Sequence, residues 1–367
     1  MKKFFILSVA ATLICSFSFA TIRRVGYPGP QVTGTDYTDA ATAVTASAAN
    51  DTIQLYPGVS ATIVDLNKAL VFLGPGYLLN INSGLQVATN SARLDLSLIA
   101  GASNSTFEGL TITWASWLVS NMVANTTLQN VTFKRCLLSA PGSTFYMSGT
   151  NAGVQGITFS QCIIGAGCYM NLSSAGTFVK NIVWRNCIIG TNSVGINALE
   201  IILSGANTIV SNNLFENCNI YGYSTSASTP ISTSTYFRNC NINLEPNTAN
   251  NGVYDYCTFT TNNTTHYVTG SSNQFGKTLV SIYNGDVTQP IGNVGDAPWT
   301  LKTGSPAIGW GRDYSNNPID GGAYGGADPY RLSGIPRIPS FYQLSSTAGA
   351  AANSNPYPIT FSVRANN

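Results

Sequence analysis

Charge is scarce in this chain. Of its 367 residues 9% are charged, against roughly 25% in ordinary domains. Seventeen basic side chains face fifteen acidic ones. No basic stripe points to nucleic acid and no acidic run points to a charged partner. There is one histidine, His266, in an Asn- and Thr-rich stretch with no sequence-local partner for nucleophilic catalysis. No apolar run is long enough for a membrane span. No cysteine pair has the spacing of a zinc site, and neither a metal nor another cofactor is expected.

The N-terminus reads as a targeting segment. Lys2 and Lys3 precede the apolar stretch from Phe4 to Phe17, and Ser18-Phe19-Ala20 offers small residues for cleavage. The reading is an exported protein, outside the cell or on its outer surface, divided into a signal peptide (1–20), a lead-in and cap (21–50), a repeat body (51–330) and a Pro-containing linker with a strand tail (331–367).

What the chain does have is a recurring phrase: aromatic, any, amide, Cys, any, apolar. Phe159-Ser160-Gln161-Cys162-Ile163-Ile164 is one copy. The others begin at Phe133, Trp184, Phe215 and Phe237, with degraded copies at Phe107 and Tyr254. A variable period of 20-odd residues carrying strand-type side chains marks a solenoid in which each repeat is one coil. Alternation places the aromatic inward and the second residue outward. Since the fourth and sixth places are apolar, the third must break the alternation. Asn186, Asn217 and Asn239, after Gln161, are therefore expected at a corner, as an amide ladder, because Asn tolerates left-handed backbone angles.

Cys136, Cys162, Cys187, Cys218, Cys240 and Cys257 share the fourth place, while Cys168 stands apart. Stacked parallel side chains do not face one another as a disulfide needs, so free thiols acting as small hydrophobes are expected. The second place alternates in sign: Glu108 beside Lys134, and Glu216 between Arg185 and Arg238, which neighbours Asp255. Opposite charges on adjacent strands contribute about 0.2–1 kcal/mol each. Leu137, Ile163 and Ile188 at the fifth place point outward, an apolar patch that is either covered, by loops or the C-terminal tail, or used for binding.

Before the repeats, Asp36 or Asp39 caps a short Ala-rich helix within 36–50 that closes the open end of the first coil. Strands are expected in 51–58, 69–76 and 94–99, a late one at 277–283, and a last exposed one at 359–363, which docks on the solenoid or pairs with another chain.

With the opening Asp51-Thr52-Ile53-Gln54-Leu55-Tyr56-Pro57-Gly58, Leu73-Gly74-Pro75-Gly76-Tyr77, the aromatic-x-Asn-Cys coils and Gly304-Ser305-Pro306-Ala307-Ile308-Gly309, the chain resembles secreted proteins of the pectate-lyase-like superfamily. Its closing section is similar to surface proteins of Bacteroidetes-type bacteria. The resemblance implies an all-β, right-handed single-stranded parallel β-helix. It leaves function open, because that fold carries lyases, hydrolases, adhesins and structural proteins.

The motifs Asn-Thr-Asp, Gly-Asp-Asp, Gly-His-Gly and Arg-Ile-Lys of polygalacturonase-type members are absent. Lys134, Arg135, Lys180 and Arg185 lie near enough for a basic spot on one face, and Glu200 is an isolated acid that faces outward or serves as a buried ligand; paired or solvated charges are the expected reading of each. Asp313-Tyr314-Ser315-Asn316-Asn317 lacks the glycine and glutamate of a calcium loop and reads as a turn. Trp117, Tyr146 and Tyr169, on three consecutive coils, and Tyr221 and Tyr223 are the glycan-binding candidates, with stacking in the core as the competing role. Asn104, Asn125 and Asn130 head glycosylation-like triplets. The leading reading is a non-enzymatic scaffold that engages a polysaccharide, another cell-surface protein, or like subunits through its C-terminal strand. The competing reading is a polysaccharide lyase or glycoside hydrolase with an atypical site.

Overall fold

The structure, a computed structural model, describes residues 20–114, 117–119, 123, 125–139, 144–147, 152–165, 168–171, 178–190, 199–202, 209–221, 235–243, 252–262, 264, 270–346 and 359–364. The targeting segment, Tyr223 and His266 lie outside them.

Two long sheets build an all-β parallel β-helix. One has eleven strands and the other thirteen, and a four-stranded sheet supplies a further wall. Strands pair with their counterparts one coil away: Phe107 is in register with Phe133, Phe133 with Phe159, Phe159 with Trp184, and Trp184 with Phe215. Strictly parallel pairing, with β-branched and aromatic residues in most strands, is what a repeat of this length imposes.

The aromatics form one inward column. From Phe72 through Phe107, Phe133, Phe159, Trp184, Phe215 and Phe237 to Tyr254, neighbouring rings lie 4.2 to 5.7 Å apart and within 13° of parallel. Such pairs contribute about 0.5–1.5 kcal/mol each beyond the area they bury. Phe72 extends the column one coil earlier than the phrase does.

Third-place residues turn the chain. Arg135, Gln161, Asn186, Asn217, Asn239 and Tyr256 all have φ between 50° and 55°. A second corner stands three residues before the aromatic, where Asn104, Asn130, Gly156, Asn181 and Asn212 are also left-handed. The glycosylation-like triplets at Asn104 and Asn130 are thus corner residues, and the Asn130 amide donates to the Asn104 amide oxygen at 3.1 Å.

The fourth-place cysteines are free thiols, all buried. Each donates to the backbone carbonyl of the aromatic one coil earlier, as Cys162 does to Phe133 at 3.3 Å and Cys240 to Phe215 at 3.4 Å. Burial pushes the Cys136, Cys187, Cys218 and Cys257 thiols up, whereas at Cys162 and Cys240 burial is outweighed by bonds from the neighbouring thiols, which pull them down, so the column is a hydrogen-bonded seam of small buried side chains.

At the N-terminal end Ile22–Val25 already pairs with Thr52–Leu55, so the eleven-stranded sheet begins before residue 51. The helix is shorter than the Ala-rich run, spanning Ala40–Ala46. Asp39 is its N-cap, accepting from Thr42 N at 2.8 Å. Asp36 instead lies in a two-residue edge strand, where it takes a bidentate pair from Arg24.

The expected late strand at 277–283 is a single helical turn, Leu279–Ile282. Four residues with Ile282 as the buried one do not distinguish the two periods, and packing decides. From there to residue 337 the chain forms a strap over the outer face of the thirteen-stranded sheet. Trp299, Tyr283, Ile282 and Tyr330 cover Ile163 and Ile188, which are fully buried in a second hydrophobic core.

Third-place side chains hold this strap and do not form the expected amide ladder among themselves. Asn239 donates to the Arg312 carbonyl and accepts from Arg312 N. Asn186 donates to Ala323 O and Gly325 O at 3.0 and 2.7 Å. Gln161 donates to Asp328 O, and Arg135 to Ile335 O. As the strap runs forward it meets progressively earlier coils. Gly322, at φ 82°, must be glycine, since a Cβ there would run into the Asn219 and Asn241 amides.

Candidate functional site

The outer face of the eleven-stranded sheet carries the second-place charges, and the strap adds one turn to it. In 313–317 the Asp313 carboxylate accepts from Ser315 N, Asn317 N and Asn317 Nδ2 at 2.7 to 2.8 Å. Those bonds hold the carboxyl below its usual range, the Asn317 side chain contributing most. Its acceptors are spent on the turn, which presents Tyr314, 76% exposed, to solvent beside the sheet.

Around Tyr314 the sheet supplies three charged side chains. Arg238 stacks its guanidinium 4.2 Å from the Tyr314 ring centre and donates to Asp313 O at 2.8 Å. Arg185 donates through Nε to Glu216 at 2.8 Å, and Glu216 is buried. Partial desolvation beside the sheet, and the Glu216 carboxylate, push the Tyr314 phenol up. Burial alone would lower Arg185, but the bond to Glu216 outweighs it and the guanidinium is pushed up. Tyr236, exposed on the same strand face as Arg238, adds a second ring.

Neither the phenol nor the guanidiniums supply a base near neutral pH. Fixed cations beside exposed rings suit stacking on a sugar face and hydrogen bonding to hydroxyl or carboxylate groups.

The charge ladder is realised in part. Arg185 and Glu216 are joined across adjacent coils, but Glu108 pairs with Arg135 at 3.5 Å and not with Lys134, and Arg238 turns to the strap. The basic spot does not form as one cluster: Arg135 is buried beneath Ile335, and the Lys180 ammonium lies 4.7 Å from the Phe178 ring.

The strands Trp117–Val119, Thr144–Met147 and Cys168–Asn171 carry Trp117, Tyr146 and Tyr169 on successive coils. They do not share a register position, since Trp117 pairs with Thr144, Tyr146 with Asn171, and Tyr169 with Glu200. Their side chains, those of Cys168 and Glu200, and Tyr223 as a whole lie outside the described residues. Tyr221 is partly buried against the strap, its ring 5.9 Å from Trp299. Among the described residues no three His, Cys, Asp or Glu side chains gather as a metal site would require, and no helix is long and apolar enough to cross a membrane.

A turn at 313–317 does not by itself mark Tyr314 as exposed, and Tyr236 stands one place before the phrase that begins at Phe237. The signal available in the sequence was a lone aromatic on the Asp-Tyr-Ser-Asn-Asn turn.

No protein-family model matches the chain, and no curated protein matches it. Among solved structures it is similar to pectate lyase Pel9A at 14% identity and a TM-score of 0.34, over 83% of this chain and 97% of that one. Assignment to the β-helix architecture rests on the paired parallel sheets themselves.

Proposed function

We propose that the protein is an exported, non-enzymatic β-helix scaffold that presents its sheet faces to a glycan or another surface molecule at the cell exterior. The observation that supports this reading is how the charges of the outer sheet face are used. Arg185 is held by Glu216, Arg238 by Asp313 O and the Tyr314 ring, and Arg135 by Gln161, Glu108 and Ile335 O. A lyase or hydrolase needs a base or a carboxyl pair aimed at a substrate bond, and these groups are aimed at one another. The Tyr314 and Tyr236 rings are the proposed sugar contacts, with Trp117, Tyr146 and Tyr169 as a second proposed place on the successive coils.

The test is incubation with a panel of uronic-acid and neutral polysaccharides. The expected result is retarded migration of the protein in a gel containing one of them, with no new chain ends. Tyr314→Ala should reduce that retardation. Release of unsaturated or reducing ends would overturn the scaffold reading in favour of a polysaccharide lyase or glycoside hydrolase.

A further inference from the structure

After the strap, the chain leaves the solenoid as an antiparallel hairpin of Ser340–Ser346 and Ile359–Arg364. It touches the body at its base, where Val87 N donates to Phe341 O and Arg364 donates to Leu85 O. The register puts Phe341 opposite Val363 and Leu344 opposite Phe361, with Ile359 next along the same face. Gln343, Ser345, Thr360 and Ser362 fall on the other face, so the ribbon is amphipathic. The five apolar side chains are between 47% and 62% exposed.

A lone two-stranded ribbon is marginal in water, and one apolar face needs cover. Elsewhere the chain covers such surfaces, as the strap does over Ile163 and Ile188. We propose that this face is a dimerisation surface, packing on the same face of a second copy of this chain. The proposal goes beyond the scaffold reading and stands whether or not the protein binds glycans.

Three observations select a second copy as the occupant. A two-fold contact requires a patch complementary to itself, and an uncharged apolar face meets that condition. The one ionic group on the two strands, Arg364, is taken by Leu85 O and lies over the Tyr342 ring, so no charge is left to select a different protein. The opposite face holds Ser, Thr and Gln, not the Lys and Arg that accompany binding to a lipid surface. In area, the five exposed side chains amount to roughly 500 Å² per copy and about 1,000 Å² for a pair, the level that a specific interface must clear.

Light scattering during size-exclusion chromatography of the full chain, across a dilution series, tests this directly. The expected mass is twice that of the chain, falling to one copy on dilution. Leu344→Ser with Phe361→Ser should weaken association by about 100-fold or more, the scale of losing two anchoring side chains, with an unchanged far-ultraviolet spectrum. Ser362→Ala with Thr360→Ala, on the polar face, should leave it intact. Phe361→Cys in a background of Cys15→Ser and Cys168→Ser should cross-link to a covalent dimer under mild oxidation, because the column thiols are buried. A monomeric wild-type chain overturns the proposal. So do a dimer that survives the double serine substitution, an absent cross-link, and a monomer that floats with phosphatidylcholine vesicles.

Discussion

At Asn186 one side chain serves two ends. Its backbone sits at φ 53°, which costs most L-residues about 1–2 kcal/mol, and its amide supplies two hydrogen bonds to the strap. Asn186→Ala incurs both losses, so a drop of about 2–4 kcal/mol is expected. Asn186→Gly restores the backbone freedom and should recover part of it. Denaturant melts of the two variants separate the terms, and equal losses would mean that the backbone angle contributes nothing. The corner was legible because an inward aromatic and an apolar fourth place cannot both face inward unless the alternation breaks between them. The other corner, at Asn104, Asn130, Asn181 and Asn212, was equally regular but lies outside a phrase counted from the aromatic. Arg135 occupies the third place too, yet its charge alone suggests a surface position. In the fold its guanidinium is buried under Ile335.

Among the elements, the strap was the least legible. It has no period of its own, and its shape follows from the surface that it covers. The sequence showed that surface, as outward-facing Leu137, Ile163 and Ile188, without showing which of several segments lies on it. The glycines of 321–326 have a similar logic, since their reason is the Asn amides of distant coils. A buried carboxylate fastens the strap to the start of the solenoid. Asp296 accepts from Tyr330 OH, Ser333 N and Asn82 Nδ2, and the Tyr330 hydroxyl lies 2.7 Å from that of Tyr77. Burial pushes the Asp296 carboxyl above its ordinary value of 3.8, against the pull of those donors. The folded state therefore keeps a proton that the unfolded chain has lost, and this group's contribution falls as pH rises from the ordinary value through the raised one. Asp296→Asn removes the titration. Its melting temperature should decline less steeply than wild type as pH rises above about 4, and an identical slope would exclude Asp296 as the source.

For the molecule as a whole, a solenoid whose coils touch only their neighbours should unfold piecemeal. Here the strap bonds the Asn239, Asn186, Gln161 and Arg135 corners in turn, so distant coils share one long contact. The full chain is expected to unfold in a single calorimetric transition with matching van't Hoff and calorimetric enthalpies. A chain ending at Ser305 should melt earlier and over a broader range. A truncated chain that melts as sharply as the full one would show that the coils couple without the strap. The solenoid itself was plain from the repeats, since length, period and strand-type residues agree. Its surface was not, because what covers a β-helix depends on contacts between residues some 200 positions apart, such as Arg135 and Ile335.

The direction of the strap has a consequence for how the chain is made. Synthesis delivers the N-terminal coils first, and the strap must travel back along all of them after the last coil has closed. Until then Ile163 and Ile188 face solvent, so every unfinished or prematurely terminated copy displays a greasy stripe that a complete copy hides. Chaperones and proteases recognise that kind of exposure. The strap is thus a seal on the closed coils, and a copy without it is marked for removal by its own surface.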